Sequence, residues 1–442
     1  METLSIRIGK KHIFWFLASL LLCGGLIRIL AAYNEVHYFD LPYYFKWSEE
    51  VVDNGIFSAY HNLMGIGNNE LDYPPLFLFP LYITGLLLKI PVLSEFAPYS
   101  MVVIKMWQIL FDLAAVVLLY YVLKGQNKLL ALGAAAIWAV NPAIIFNSSY
   151  WGQTDSMMIF FLLLAFFTLE SKRPLLATFF YALACLTKFQ CAYFFPVFLL
   201  FLLYEHHWKT VLKAAGVGFG TGIAVFFPFM LYSGPMLPFQ VYFGGLGKWP
   251  YANMYAFNFF GALGLNYVDD SQKFLPFMSY GILGNLMTLF AVILIFVLML
   301  TAKKKCPYLL SFLLMNTIFM FASRMHDRYQ IPVIIFILVA AFRHKSVKLF
   351  VGFLLTNTMV LCNQFFPFEY ILSRNDPPPW GINMEALVVA FSWINLLVYF
   401  ITLAISLSVL YDKKFTELKL FRIFFQKTHK EAPHAENTAE AV

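Results

Sequence analysis

Thirteen apolar segments constrain this 442-residue chain more than any other feature. They lie at roughly 13–31, 75–91, 101–123, 129–147, 156–170, 174–187, 190–204, 210–231, 275–300, 307–322, 331–342, 347–365 and 384–410. No soluble core absorbs so many, so the bilayer serves as solvent. There every backbone N–H and C=O must be paired internally, which leaves helices. Composition agrees: 61% of residues are hydrophobic and 12% charged, against about 25% charged in soluble domains. The reading is an all-α polytopic membrane protein with a single transmembrane domain over 1–410 and a cytoplasmic tail over 411–442. No internal repeat is evident. The net charge of +7 falls in short clusters between apolar segments, a pattern of cytoplasmic loops and not of nucleic-acid binding. Cys23, Cys185, Cys191, Cys306 and Cys362 are scattered, with neither a disulfide framework nor metal-ligand spacing. The first apolar stretch, His12 to Leu30, follows Arg7, Lys10 and Lys11 without a small-residue cleavage site, and reads as a retained anchor.

Charge then sets topology. Segment 75–91 is short and carries Pro75, Pro80 and Pro91, and an interior proline costs a helix about 3 kcal/mol. If it lies in the interface or re-enters, Lys10/Lys11, Lys124/Lys128, Lys172/Arg173, Lys209/Lys213, Lys303/Lys304/Lys305, Arg343/Lys345/Lys348 and Lys413/Lys414 all fall inside. If it spans, every later cluster flips outward. The positive-inside rule selects the first arrangement, with about twelve spans and both termini cytoplasmic. Basic clusters at both ends of 174–204 require that stretch to cross twice, with a break near Thr187-Lys188-Phe189-Gln190 on the outer side.

Three polar motifs then share the outer face: Asp72-Tyr73-Pro74-Pro75-Leu76, Trp151-Gly152-Gln153-Thr154-Asp155 and His326-Asp327-Arg328-Tyr329. The first outer loop, about 32–100, adds Glu35, Asp40, Glu49, Glu50, Asp53 and Glu70, and a second large outer loop spans 232–274 with Lys248 and Trp249. A carboxylate beside an apolar wall suits general-base work, and arginine beside histidine suits a phosphate. Each residue also has a plainer reading. Asp40 equally reads as an N-cap. Tyr44 and Trp47 fit an interface belt as well as a sugar-facing surface. The Asp72 motif makes a rigid turn. Asp155 is placed to cap a span, and Lys188 to ion-pair with an outer carboxylate. The His326–Tyr329 motif would also serve as an ion-paired anchor for a helix end. Gln153 has no evident structural task. Asp112 lies inside a span, where an acid is a functional candidate by default; a structural contact with Lys105 or a hydroxyl is at least as good a reading.

The outer-loop aspartate, the Asp-Tyr-Pro-Pro-Leu motif about thirty residues later, Leu186-Thr187-Lys188-Phe189-Gln190 and the late histidine motif together resemble the GT-C glycosyltransferases that use polyprenyl-phosphate monosaccharides. The first outer loop and the Lys-Gln segment look like the endoplasmic-reticulum glucosyltransferases of N-glycan assembly. Trp-Gly-Gln-x-Asp and His-x-Arg-Tyr look more like prokaryotic, mannosyltransferase-like relatives. The likeness covers roughly 13–345, and the late motif departs from the glucosyltransferase His-x-x-Glu-Lys form. The resemblance implies a GT-C-like fold of about 12 transmembrane helices with interfacial or re-entrant helices in the first outer loop. It implies inverting transfer of glucose or mannose from a polyprenyl-phosphate donor to a lipid-linked or cell-surface glycan on the outer or lumenal face, with Asp40 as base and His326 and Arg328 on the donor phosphate. Arg324 and Lys188 are further phosphate candidates. Asp72, Tyr73, Tyr44, Trp47, Trp151, Gln153, Asp155 and Gln190 are substrate-binding candidates. No cofactor or metal is expected beyond the lipid-phosphate sugar. Expected partners are that donor, a glycan or glycolipid acceptor and membrane lipids. Motif style favours a bacterial plasma membrane, with the endoplasmic reticulum as the alternative. A secondary transporter or lipid-sugar flippase is the competing class, although no paired halves with matching broken helices are evident.

Overall fold

A computed structural model describes residues 9–33, 40–64, 71–244, 248–373, 381 and 383–412. Arg7, Glu35, Glu70, Lys413, Lys414 and the tail beyond 412 lie outside the described residues.

Helices occupy all twelve stretches expected to span. Six are long and apolar enough to cross unaided: Lys10–Ala32, Ala97–Leu123, Trp208–Ser233, Tyr280–Thr301, Val347–Leu372 and Met384–Leu410. A seventh is bent: Lys128–Ala139 and Pro142–Trp151 meet at 42°. Length alone therefore supports six or seven crossings. The others are shorter, among them Pro174–Cys185 (12 residues), Pro307–Phe321 (15) and Val333–Arg343 (11). At 1.5 Å per residue these reach only about 16–23 Å, against a hydrocarbon core of about 30 Å. The last two are buried on nearly every side, as expected for helices apolar all round. They form the pillar around which the longer helices pack, and the loop between them carries the His326 motif. Lys188 lies at a similar break, between Pro174–Cys185 and the turn Phe189–Phe194 that leads into Phe195–Glu205.

Segment 75–91 does not form a long span. Pro75–Phe77 makes a 3₁₀ turn and Leu78–Leu88 a short helix that packs on Leu41–Asp53. The crossing is tight: a Cβ at Gly85 would lie 2.2 Å from the Ser48 carbonyl oxygen, so only glycine fits. The segment expected to be apolar from 275 is instead a short hairpin, Lys273–Leu275 with Met278–Ser279, and the helix begins at Tyr280.

The second outer loop is folded onto the helix ends by asparagines. Asn363 Oδ1 accepts from Phe257 N (2.9 Å), and Asn363 and Asn395 donate to the carbonyls of Tyr255 and Phe257 (2.7 Å each). A parallel β-pair joins Asn253–Met254 to Met325–His326 and sets the height of the late motif.

Asp112 is not paired with Lys105. It accepts from Arg28 Nε (3.1 Å) and Ser148 Oγ (2.5 Å), with Arg28 0% exposed and Asp112 1%. Arg28 also donates to the carbonyls of Ala139 (2.6 Å) and Trp138 (3.4 Å). Both carbonyls lie at the break before Pro142, where the α-helical ladder is interrupted, and a cation there also suits the helix C-terminus. Asp112 is therefore a strut joining the first helix, Ala97–Leu123 and the broken helix.

Candidate active site

The site begins with a local irregularity. Asn141 Oδ1 accepts from Ala143 N (2.9 Å) and restarts the helix after the break. The chain then winds into a π-turn, Phe146–Trp151, which ends at Gly152 with φ +89°. π-Bulges are frequent at functional sites. Asn147 O accepts from both Gly152 N (3.1 Å) and Gln153 N (2.9 Å). Lys105 Nζ donates to Tyr150 O (2.8 Å) and Gln108 Nε2 to Gly152 O (3.0 Å), so carbonyls left over by the turn are satisfied from Ala97–Leu123. Gly152 is required twice over. Its φ is left-handed, and a Cβ would lie 2.8 Å from Leu41 Cδ2 and 3.1 Å from Lys105 Cγ.

This turn aims two donors at one carboxylate. Trp151 Nε1 and Gln153 Nε2 donate to Asp40 Oδ2 at 3.1 and 2.8 Å. Asp40 precedes Leu41–Asp53, but its side chain makes no capping bond and its backbone is already αR. The capping reading therefore does not describe it. Its other oxygen faces Arg328, with Nη2 3.6 Å from Oδ1. Arg328 also lies 5.1 Å above the Trp151 ring and contacts Asp327 Oδ1 at 3.4 Å. Its Nε is buried with no partner among the described residues. The Asp40 and Arg328 side chains are 20% and 16% exposed, dry enough to strengthen electrostatics yet reachable.

His326 sits beside this pair, its ring 4.8 Å from that of Tyr329 and 6.3 Å from that of Trp249. Burial, and then the Arg328 charge, push its pKa down to about 3. It is therefore neutral near pH 7 and offers a hydrogen bond and not a cationic charge. Tyr73 is close as well: burial and then the Asp40 charge push its phenol up, so it remains protonated.

Other expected residues are placed differently. Tyr44 and Trp47, expected to face a sugar, are 1% and 3% exposed. Their rings pack on each other and on Tyr73 at 5.6–5.8 Å, and the hydroxyls of Tyr44 and Tyr73 are 2.9 Å apart. They wall the site from behind. Lys188 forms a buried ion pair with Asp155 (2.7 Å), and Asp155 also accepts from Asn147 (3.3 Å). Arg324, at φ +61°, makes a bidentate pair with Asp270 at 2.6 and 3.2 Å. Asp72 meets Lys248 at 3.0 Å on the half-exposed rim, while the turn after it is fastened by Leu76 N to the carbonyl of Leu186 (3.0 Å). Gln190 is buried near Tyr329. Gln153 Oε1 and Gln190 Oε1 are buried acceptors without a partner among the described residues, so each can take a donor from outside the chain. Sequence reasoning read Lys105 only as a partner for Asp112, and it missed Gln108, Asn147, Asp270 and the Arg28 strut. The available signal was Lys105 and Gln108 at i, i+3 in an otherwise apolar helix, which share a face and must be buried inward. Among the described residues, no three His, Cys, Asp or Glu gather into a metal-binding group.

The aspartate, the two donors, the arginine and the neutral histidine can accept a proton at one point and steady an anion beside it. A sequence model of glycosyltransferase family 87 matches residues 71–323, more than half of the chain. GPI mannosyltransferase 1 of Kluyveromyces lactis is 29% identical over 134 residues, 29% of this chain and 33% of that protein. The chain thus spans about a third of that relative's length. The crystal structure of ArnT from Cupriavidus metallidurans bound to undecaprenyl phosphate aligns over 92% of this chain and 79% of that one, with 14% identity and a TM-score of 0.41.

Proposed function

Because the chain belongs to glycosyltransferase family 87, we propose that this multi-pass membrane enzyme moves a hexose from a polyprenyl-phosphate donor to a hydroxyl of a glycan or glycolipid acceptor on the non-cytoplasmic face. Family membership sets aside the transporter and flippase readings. The observation that carries the finer proposal is the Asp40 carboxylate, freed from capping, held by Trp151 and Gln153, and opposed by Arg328.

The step balances as an inverting displacement. Asp40 takes the proton of the acceptor hydroxyl, whose oxygen bonds to the anomeric carbon from the face opposite the leaving group. The bond from that carbon to the phosphate oxygen breaks, and the lipid phosphate leaves. Arg328 meets the charge that develops there, and neutral His326 donates a hydrogen bond to it. As the phosphate draws Arg328 toward itself, Asp40 loses a cationic partner and becomes a stronger base. The orphan acceptors on Gln153 and Gln190 suit sugar hydroxyls. The name of the yeast relative makes mannose the first sugar to test. In this reading the lipid tail lies between helices, and no metal takes part.

The test is transfer from polyprenyl-phosphate mannose and polyprenyl-phosphate glucose by purified protein, with and without chelator. Asp40→Asn abolishes transfer while the protein still folds. Near wild-type turnover in that variant overturns the assignment, and loss of activity with chelator overturns the metal-free step. Arg328→Ala raises the KM for donor more than for acceptor; the reverse pattern places the phosphate elsewhere.

A further inference from the structure

The opposite face holds a second polar recess that the transfer reaction does not use. A cavity of about 400 Å³ is lined by Lys304, His344, Lys345, Ser346, Lys348, Ser408, Val409 and Asp412. That volume lies within the range of small-ligand sites, roughly 300–1,000 Å³. Its charge is unbalanced. Lys304 pairs with Asp412 at 2.7 Å, which leaves Lys345 and Lys348 without an opposing carboxylate in the lining.

The backbone adds to this. Val333–Arg343 ends in a turn where Ser346 N bonds to Ala341 O (3.0 Å) and Lys345 takes φ +49°, a position usually given to glycine. The next helix, Val347–Leu372, starts at once, and Ser346 Oγ accepts from Leu349 N (3.3 Å). The first amides of a helix have no intrahelical acceptor and attract anions. Here they open beside two lysines. Independently, His344 Nε2 is buried with no partner among the described residues. An unpartnered imidazole nitrogen, a helix start and two lysines without an opposing carboxylate in the lining form an anion seat.

The surface beyond the seat identifies the source of the anion. Val347, Val351 and Leu354 are 76%, 45% and 48% exposed. Their i, i+4, i+7 spacing sets them on one face of the helix that begins at the seat. A free phosphate has no use for an apolar stripe; an acyl chain does.

We propose that this recess binds the headgroup of an anionic phospholipid of the cytoplasmic leaflet, with its acyl chain along the Val347–Leu354 stripe. The site is distinct from the transfer centre and does not depend on the donor reading.

Native mass spectrometry of the full chain, released from micelles holding equimolar phosphatidylglycerol and phosphatidylcholine of matched chains, tests it. The wild type retains phosphatidylglycerol with about tenfold preference, a difference of about 1.4 kcal/mol. Lys345→Gln with Lys348→Gln brings the ratio near one. The same changes at Lys209 and Lys213, elsewhere on that face, leave the preference intact. Millimolar inorganic phosphate does not displace the lipid. Parity in the wild type, preference retained in the Lys345/Lys348 variant, equal loss in the Lys209/Lys213 variant, or displacement by phosphate each overturns the proposal. Both target lysines are exposed, and single Lys348→Gln carries the test should the double variant express poorly.

Discussion

Removing one partner of the Lys188–Asp155 pair costs more than removing both. The side chains are 6% and 3% exposed and 2.7 Å apart. At an effective dielectric near 20 their attraction is roughly 6 kcal/mol, most of it offset by the desolvation of two ions. Losing one partner of such a pair typically costs about 3–5 kcal/mol. The two single losses differ here. Lys188→Met leaves Asp155 with the Asn147 amide and the first turn of its own helix, where the dipole favours a carboxylate by about 0.3–1 kcal/mol. Asp155→Asn leaves a buried ammonium that has lost its hydrogen bond to a carboxylate. That loss has a ceiling, because a lysine of ordinary pKa is neutralised at pH 7 for about 4.6 kcal/mol. The ceiling falls by about 1.4 kcal/mol per pH unit, since the unfolded chain then binds the proton that the folded one refuses. Asp155→Asn should therefore regain roughly 2–3 kcal/mol of stability between pH 7 and 9, relative to wild type. A double-mutant cycle in micelles, read by denaturant unfolding at both pH values, measures this. Additive single losses, or a pH-independent Asp155→Asn deficit, refute the reasoning. They would return Lys188 to the phosphate site, where its loss would raise the donor KM instead.

Gln153→Leu removes a donor from a carboxylate, an interaction worth about 1.5–3 kcal/mol. It should lower kcat roughly 10- to 100-fold with donor KM unchanged, and an unchanged kcat would deny it a positioning role. Gly152→Ala, strained at φ +89° and crowded by Leu41 and Lys105, should cost about 1–3 kcal/mol and disturb the Asp40 geometry; a neutral effect in thermal unfolding contradicts the close approach. His326, held neutral down to about pH 3, should place no inflection near pH 6.5 in kcat/KM. Its folded pKa lies below the unfolded value, so its contribution to stability is complete above about 6.5 and is lost as pH falls toward 3. An inflection near 6.5 that vanishes in His326→Gln would show a cation there instead.

Much of this protein was legible before its fold was known. Run length and basic clustering are one-dimensional quantities: apolar runs become helices, and basic clusters supply an expectation of which loops face the cytoplasm. That is why the twelve helical stretches, the break near Lys188 and the gathering of the polar motifs at one end could be anticipated. Proline content likewise foretold that 75–91 would not be a long span. Which side chain meets which depends on the rotation and depth of each helix against its neighbours, and only packing decides that. Asp40 meets Gln153 across 113 residues, and Arg28 meets Asp112 across 84. The same chemistry that made Tyr44 and Trp47 plausible sugar ligands made them good packing residues, and the close helix crossing at Gly85 is part of the packing that turned their segment inward. The sequence by itself determined a helical membrane protein and the polar motifs from which its candidate site is built. Tertiary structure decided that a π-turn closed by Gly152 carries two donors to one aspartate, because a carboxylate in a dry site takes the partners that packing brings within hydrogen-bond reach, here 2.8 and 3.1 Å.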